Sequence, residues 1–215
     1  MYRIAIYGSG AFGQEVYLLI NSINKAAAFP VFEFIGFFDD TKEIGTVCKY
    51  GKIIGGIADI NQLENKLNIA IAVGSSTDLV NMKTHINNPN ISFPNLLSPN
   101  NVYLDKESLT LGMGNIILSN SIISFDVKIG NFNIINTRVN FGHHVDIGDF
   151  NVLNPNVQLS GNAKIGNKNS LGLGCAFLPK KMIGDNNVVV PGSIITRNFK
   201  NNNFLSGNPA VNIKL

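Results

Sequence analysis

Aliphatic or phenylalanine residues recur at every sixth position of the chain from Leu111 to Ile195 without a gap. Neither the 3.6-residue period of a helix nor the two-residue period of an ordinary strand produces such a column. A six-residue period is typical of a hexapeptide β-helix, in which three hexads, each a short strand and a corner, close one triangular coil. Coils of this kind stack and bury a core that no single coil could bury alone. The column consists of Leu111, Ile117, Ile123, Ile129, Ile135, Phe141, Ile147, Leu153, Leu159, Ile165, Leu171, Phe177, Ile183, Val189 and Ile195.

A second period, three hexads long, lies on the first. Glycine follows the column residue at Gly112, Gly130, Gly148, Gly166 and Gly184. We expect one such glycine per coil at one corner, where the lack of a Cβ permits a positive φ or a close backbone approach. The main alternative, a β-sandwich of short strands, does not require a fixed glycine period.

The first 95 residues have a different pattern, in which β-rich runs alternate with helical periodicity. A strand over residues 2–7 meets the glycine turn GSGAFG at 8–13 and then a helix, and a second strand over 32–38 ends in Asp39 and Asp40. This series predicts a small Rossmann-like α/β domain with three or four parallel strands. A proline-containing segment, PNLLSPNN, follows it, so we assign residues 1–95 to this domain and 96–215 to the β-helix with its C-terminal tail.

The glycine turn is a candidate anion site. Gly8, Ser9 and Gly10 lie between a strand and a helix, where free N–H groups and the helix dipole attract a phosphate. Asp39 lies further from the glycines than the ribose-binding acid of NAD domains does, and the domain is about half the usual size, which disfavours NAD. A nucleotide-linked small molecule and a glycine turn needed only for packing both remain open.

The composition excludes several classes of partner. Lys and Arg number 17 against 14 Asp and Glu, and the net charge of +3 is too small and too dispersed to indicate a nucleic-acid partner. Cys48 and Cys175 match no disulfide or metal pattern, so we expect no metal and a reducing compartment. Residues 1–20 contain neither a signal-peptide core nor a membrane span, and a cytoplasmic protein is expected.

Two adjacent histidines provide the candidate chemistry of the β-helix. His143 lies close to a predicted corner, and Gly161, three hexads later, should lie directly above it on the next coil. An imidazole can act as a base near neutral pH, and an open glycine N–H can stabilise an oxyanion. The pair would suit attack on a carbonyl or thioester; the alternative is an ordinary surface histidine on a corner.

The two parts together resemble a known enzyme group. The motifs GSGAFG, FIGFFDD, AIAVG, FGHHVDIG, SGNAKIG and SGNPA are similar to those of bacterial sugar acetyltransferases of the sialic acid O-acetyltransferase and bacillosamine-pathway N-acetyltransferase group. The resemblance covers nearly the whole chain. It implies a left-handed β-helix, acetyl-CoA as cosubstrate, and a homotrimer with the site between subunits.

The resemblance also implies site residues. His143 matches the catalytic histidine and Asn136 a residue of the acceptor pocket, while Gly161, Leu173 and Gly192 match contacts to the acetyl thioester and the pantetheine arm. The residues that match the nucleotide-sugar site are Gly8, Ser9, Gly10, Asp39, Asp40 and Gly74.

One departure from the family pattern concerns the base. Relatives usually have Asp or Glu directly after the catalytic histidine, where it orients the imidazole, but this chain has His144. A neutral histidine can hold a tautomer but cannot stabilise an imidazolium as a carboxylate does. We therefore expect a weaker base, or help from another carboxylate such as Asp146 or Asp126.

The predicted function is acetyl transfer from acetyl-CoA to the amino group of a nucleotide-linked amino sugar in surface glycan biosynthesis, by direct attack with His143 as general base. O-acetylation of a sugar or sialic acid is the first alternative. A non-catalytic nucleotide-binding scaffold is the second.

Overall fold

The computed structural model describes residues 1–213 and contains two compact units, Met1–Pro99 and a second that begins at Asn100. The boundary thus lies four residues after the one that the proline-containing segment predicts, after residue 95. The first unit is α/β, and the second is a stack of two-residue strands. This is the predicted fold class, a Rossmann-like domain followed by a parallel β-helix, and the stack is consistent with the left-handed form.

The elements of the first unit are β1 Tyr2–Tyr7, α1 Ala11–Ala26, β2 Phe32–Phe38, β3 Val47–Cys48, β4 Gly51–Gly55, α2 Ile57–Asn61, β5 Leu67–Ile71, α3 Ser76–His85, β6 Ile91–Ser92 and β7 Leu96–Leu97. Six of the strands form one sheet in the order β3-β4-β2-β1-β5-β6. All neighbours are parallel except the β3–β4 pair. The sheet has more strands than the three or four predicted, because short strands extend both edges. Helix α1 packs against β1 and β2 and buries Val16, Leu19 and Ile20.

In the second unit, each strand from Val102–Tyr103 to Ala176–Phe177 pairs in parallel with the equivalent strand of the next coil, three strands later in the chain. At the end of the chain, Val188–Val189 pairs in parallel with Phe204–Gly207, which is antiparallel to Ala210–Asn212. Ile117 is opposite Ile135, Ile123 opposite Phe141, and Ile129 opposite Ile147. The strands are β8 Val102–Tyr103, β9 Thr110–Leu111, β10 Ile116–Ile117, β11 Ile122–Ile123, β12 Lys128–Ile129, β13 Ile134–Ile135, β14 Asn140–Phe141, β15 Asp146–Ile147, β16 Val152–Leu153, β17 Gln158–Leu159, β18 Lys164–Ile165, β19 Ser170–Leu171, β20 Ala176–Phe177, β21 Met182–Ile183, β22 Val188–Val189, β23 Ile194–Ile195, β24 Phe204–Gly207 and β25 Ala210–Asn212.

The six-residue column forms the core of this unit. From Ile117 to Ile195 no column residue is more than 3% exposed, which confirms the predicted inward direction. The glycines that recur once per coil serve close approach, not a positive φ. A Cβ on Gly130 would lie 2.7 Å from the Gly148 oxygen, and one on Gly148 would lie 2.8 Å from the Gly166 oxygen.

The corners adopt the left-handed conformation at one position per hexad. The position is three residues after each column residue, and from Gly114 to Gly192 it always has a positive φ. Asparagine occupies only some of these positions; Phe132, Arg138 and His144 occupy others. Residue type therefore does not select this conformation alone, and the stacked coils impose it.

A ladder of buried asparagines runs beside the hydrophobic column. The side-chain oxygen of Asn133 accepts from the N–H and the amide of Asn151, at 2.9 and 3.0 Å. Asn169 repeats both bonds to Asn151 at 2.9 and 3.0 Å. These three residues are fully buried. The ladder satisfies backbone N–H groups that the turns would otherwise leave unpaired inside the core.

We predict that Asn151→Ala lowers the free energy of unfolding by about 3 kcal/mol, because it leaves the Asn169 donors buried without an acceptor. Urea denaturation followed by circular dichroism measures the change. Asn154→Ala is the matched control, since Asn154 donates from a half-buried corner to the Leu171 carbonyl and should cost under about 1 kcal/mol. Equal losses in the two variants would contradict a special role for the ladder.

Candidate functional site

His143 and His144 lie at the corner between β14 and β15, and both are exposed. Adjacent side chains on a strand would point to opposite faces. Here the chain turns instead, because His144 has a φ of 56°. The two rings therefore lie side by side, with centroids 5.2 Å apart and planes at 88°.

The His143 ring is held between two neighbouring coils. Phe125, one coil earlier, stacks on it with a centroid distance of 5.4 Å and an interplanar angle of 14°. On the other side, a Cβ added to Gly161 would lie 2.5 Å from His143 Nε2. The imidazole thus occupies the space that any side chain at 161 would fill. The predicted stacking of Gly161 on His143 is present in the structure.

The Gly161 N–H also lies at this corner. A Cβ on Gly142 would approach the Gly161 nitrogen to 2.6 Å, so glycine at 142 keeps this amide uncovered. Within residues 1–213, the Gly161 N–H donates to no protein acceptor. An imidazole nitrogen and an open N–H side by side can remove a proton and stabilise a developing oxyanion.

A carboxylate reaches the histidine pair from the preceding coil. His143 Nδ1 is 3.0 Å from His144 Nδ1, and His144 Nε2 is 3.4 Å from an Asp126 carboxylate oxygen. Asp126, like Asp146, lines an open groove of about 380 Å³ beside His144. Of the two carboxylates that the sequence suggested, Asp126 is therefore the one that contacts the histidine pair, through His144.

Asn136, Leu173 and Gly192 occupy a different corner of the triangle, the one between β13 and β14 and its equivalents on later coils. Leu173 is 52% exposed, and its carbonyl accepts from the Gly192 N–H at 2.9 Å. The Asn136 amide donates to the Leu153 carbonyl, a bond that Asn154 repeats one coil later. One chain thus does not bring these three residues to the corner of His143.

In the first unit, the glycine turn between β1 and α1 is tightly packed on one side and open on the other. Gly8 has a φ of 101°, and a Cβ on Gly13 would collide with the Gly8 oxygen, so both glycines are required by the fold. A Cβ on Gly10, or on Gly74 after β5, would meet no atom within 4 Å. The open side at the start of α1 can admit a phosphate.

Asp39 holds this turn in place. Its carboxylate accepts from the Ser9 N–H and hydroxyl at 3.0 and 2.5 Å, and from the Thr41 N–H and hydroxyl at 3.0 and 2.6 Å. Burial alone would raise the pKa of Asp39, but these hydrogen bonds outweigh it and lower the pKa to about 2. Four bonds fill the accepting capacity of the carboxylate, so Asp39 positions the turn.

Asp40 is also engaged, though less completely. It accepts from the Tyr7 hydroxyl at 2.5 Å and from the Ile57 N–H at 3.0 Å. Burial, reinforced by this hydrogen bond to Asp40, raises the pKa of Tyr7 above its ordinary value, so Tyr7 remains a donor. Two accepting positions of the Asp40 carboxylate remain for a ligand hydroxyl.

Lys42 is a residue that the sequence analysis did not single out. Its ammonium group donates to the Ser9 hydroxyl at 2.7 Å, which brings an exposed positive charge to the glycine turn. The sequence feature that could have identified Lys42 is its position, three residues after Asp39 at the end of the second predicted strand. A lysine here would complement a bound phosphate.

The described residues offer neither a reactive thiol nor a metal-binding group to the β-helix corner. Burial raises the pKa of Cys175 to about 12, so this thiol stays protonated and is no nucleophile. Among residues 1–213, no three His, Cys, Asp or Glu side chains form a group that could hold a metal ion. Over the same residues, every helix is too short or too polar to cross a bilayer.

We predict that Asp39→Asn lowers the free energy of unfolding at pH 7 by roughly 1 kcal/mol, less than the pKa difference implies because solvent screens this partly exposed group. Because the pKa of Asp39 is lower in the folded than in the unfolded protein, its ionised carboxylate stabilises the fold at pH values above the unfolded-state pKa of about 4. This stabilisation is lost as the pH falls towards the folded-state pKa of about 2. Urea titrations between these pH values should show the two proteins converging. A difference that does not depend on pH would contradict the assignment.

Comparison with known proteins agrees with this architecture. Residues 3–78 match the family described as the PglD N-terminal domain. No curated protein matches the chain significantly in sequence.

Solved structures match the whole chain. The acetyltransferase domain of PglB from Neisseria gonorrhoeae superposes with a TM-score of 0.88 at 22% identity, covering 99% of this chain and 100% of that one. Its complex with acetyl coenzyme A gives 0.87 at 22% identity, with 98% of each chain covered. PerB from Caulobacter crescentus, in complex with CoA and GDP-perosamine, gives 0.85 at 22% identity, covering 100% of this chain and 98% of that one. The N-terminal unit thus matches the PglD N-terminal domain family over residues 3–78, and the whole chain has the fold of these bacterial acetyltransferases.

Proposed function

We propose that this protein transfers an acetyl group from acetyl-CoA to the amino group of a nucleotide-linked amino sugar. The observation that carries the proposal is the corner where the His143 ring lies between Phe125 and Gly161, with an open glycine N–H beside it. The shared fold supports it, since neighbours of the same two-part architecture bind acetyl-CoA, or CoA together with GDP-perosamine.

The donor supplies an acetyl thioester, whose C–S bond breaks as the new C–N bond forms. His143 Nε2 accepts the proton that the sugar nitrogen loses and passes it to the departing thiolate. The Gly161 N–H donates to the carbonyl oxygen while that oxygen carries negative charge. No covalent acyl-enzyme is required, in keeping with the buried, protonated Cys175.

The first unit would bind the nucleotide part of the acceptor. The open side of the turn at Gly8, Ser9 and Gly10 would receive the diphosphate, with Lys42 as its counter-charge. Asp40 would accept a hydrogen bond from a ribose hydroxyl or from a donor on the edge of the base, and the open side of Gly74 would leave room for the ligand. Asp39 would not contact the ligand but would hold the glycine turn in place through its hydrogen bonds to Ser9.

The donor would bind between two chains of a homotrimer. Asn136, Leu173 and Gly192 lie at one corner of the triangular coil, and His143 lies at the next. One side of the coil, about five residues long, separates the two corners by roughly 15 Å. A triangular prism has no deep cavity of its own, so a groove between adjacent prisms suits a long cosubstrate. The exposed Leu173 would then face the pantetheine arm at the His143 of a neighbour.

O-acetylation of a sugar hydroxyl is the second candidate, and one observation favours it. An alcohol needs a stronger base than an amine does, and Asp126 supplies the carboxylate that the residue after His143 lacks. A non-catalytic scaffold is disfavoured by the ordered stacking of Phe125, His143 and Gly161.

We predict that His143→Ala lowers kcat by at least about 100-fold with the fold intact, the usual scale for losing a general base. Thiol release from acetyl-CoA, measured over a panel of nucleotide-linked amino sugars and their hydroxyl analogues, distinguishes the candidates. His85→Ala, at an exposed position on α3, is the matched control and should behave as wild type. Near-wild-type turnover without His143 would remove it from the mechanism. If the wild type turned over no acceptor, the non-catalytic scaffold would be the function that remains.

A site shared between subunits predicts complementation. His143→Ala and Leu173→Glu should each be inactive, and a refolded equimolar mixture should regain about a quarter of wild-type activity, since one neighbour pair in four then has both intact residues. Exposed Leu173 tolerates the charge without unfolding. Recovery no greater than the sum of the separate variants would place both residues in one chain's site. Mass photometry of the same samples reports whether they are trimers.

A further inference from the structure

A general-base imidazole needs a partner that fixes its tautomer and stabilises its cation. The residue that follows His143 is a second histidine, which by itself does neither reliably. The nearest carboxylate is Asp126, on the preceding coil, and it contacts His144 but not His143. The orienting group of this site is thus separated from the base by one ring.

We propose that Asp126 controls His143 through His144, so that the three residues form a relay, with Asp126 and His144 as positioning residues. The proposal rests on the function proposed above. It concerns which nitrogen of each ring carries the hydrogen, at the 3.4 Å contact between His144 Nε2 and Asp126 and at the 3.0 Å hydrogen bond between the two Nδ1 atoms.

The direction starts at the carboxylate. An ionised carboxylate only accepts, so the nitrogen facing Asp126, His144 Nε2, carries the hydrogen. A neutral imidazole with a hydrogen on Nε2 has a bare Nδ1. His144 Nδ1, 3.0 Å from His143 Nδ1, must then accept, and His143 Nδ1 must donate.

This order leaves His143 Nε2 without a hydrogen, at the Gly161 side of the ring where the proton of the acceptor would arrive. Without Asp126, His144 is free to adopt the opposite tautomer and donate from Nδ1. His143 would then carry its hydrogen on Nε2 and could not act as a base. Asp126 therefore selects the active tautomer from the far side of the His144 ring.

The fold explains why the carboxylate comes from another coil. Asp126 and His144 occupy equivalent left-handed corner positions on adjacent coils, with φ of 53° and 56°, so their side chains leave the two coils in the same direction. Phe125 fixes both rings, stacking on His143 and contacting His144 edge-on at 5.3 Å.

The surroundings offer a matched control. Lys128, Asp146 and Lys164 line the same groove as Asp126 and His144. Asp146 is also exposed, yet it forms no ion pair with either histidine within the described chain. The Asp126 and His144 side chains are 54% and 51% exposed, and a polar contact so open contributes little to stability, so its removal leaves the fold intact.

The first arm of the test is kinetic. Asp126→Ala should lower kcat at least about 10-fold with KM for both substrates changed less than about 2-fold, because orientation of the base acts on the chemical step. Alanine is used because an asparagine amide oxygen could still accept from His144 Nε2. Asp146→Ala should match wild type. Asp126→Ala combined with His144→Asp should recover activity, since a carboxylate at 144 accepts directly from His143 Nδ1. Equal effects of the two single Ala variants, or no rescue, would overturn the relay.

The second arm does not depend on activity. Nitrogen-15 NMR of the full chain, at about pH 9 where an ordinary imidazole is neutral, reports which ring nitrogen carries hydrogen. With His85→Gln simplifying the spectrum, wild-type His143 should be protonated on Nδ1 and His144 on Nε2, and Asp126→Ala should shift the His143 hydrogen towards Nε2. Tautomers unchanged by that substitution would overturn the relay. Correct tautomers in a protein inactive on every acceptor would instead overturn the proposed function alone.

Discussion

The stacking of each residue on its equivalent in the next coil is the constraint on which the β-helix and its candidate site depend. It buries the six-residue column, and it brings the glycines at 112, 130, 148, 166 and 184 within a distance that no side chain would allow. The same interval brings Asn151 onto Asn133, where a buried amide chain satisfies the turns. A coil that slipped by one residue would lose apolar burial and hydrogen bonding together, so the register is strongly determined.

The same constraint builds the candidate site. Phe125, His143 and Gly161 are consecutive members of one corner column, so the proposed base, its stacking partner and the open N–H come from three coils in fixed register. Asp126 and His144 belong to the adjacent column. A site assembled this way needs no long loop, and its precision is that of the core beneath it.

Much of this could be predicted from the sequence, because a period is visible without coordinates. The hydrophobic column, the coil of three hexads and the stacking of Gly161 on His143 all follow from counting residue intervals of six and of three hexads. Phe125 follows from the same count one coil earlier, and the buried asparagines from 115 to 187 were visible as well, although the sequence analysis did not identify them as a ladder. Asp126 and His144 lie at the same interval, and Asp126 was one of the two carboxylates that the sequence suggested. The choice between Asp126 and Asp146 could not be derived, because it depends on the left-handed φ at His144, which the stacked coils impose and residue type does not reveal. In the first unit, the two-residue strands β3, β6 and β7 are too short for periodicity to reveal.

The central claim is that acetyl transfer takes place at the corner of His143. A crystal structure of the protein with CoA and a nucleotide-linked amino sugar tests it most directly. We expect the CoA sulfur and the sugar nitrogen within about 4 Å of His143 Nε2, near the Gly161 N–H, in a groove between two chains. CoA bound elsewhere, with the His143 ring facing bulk solvent, would contradict it.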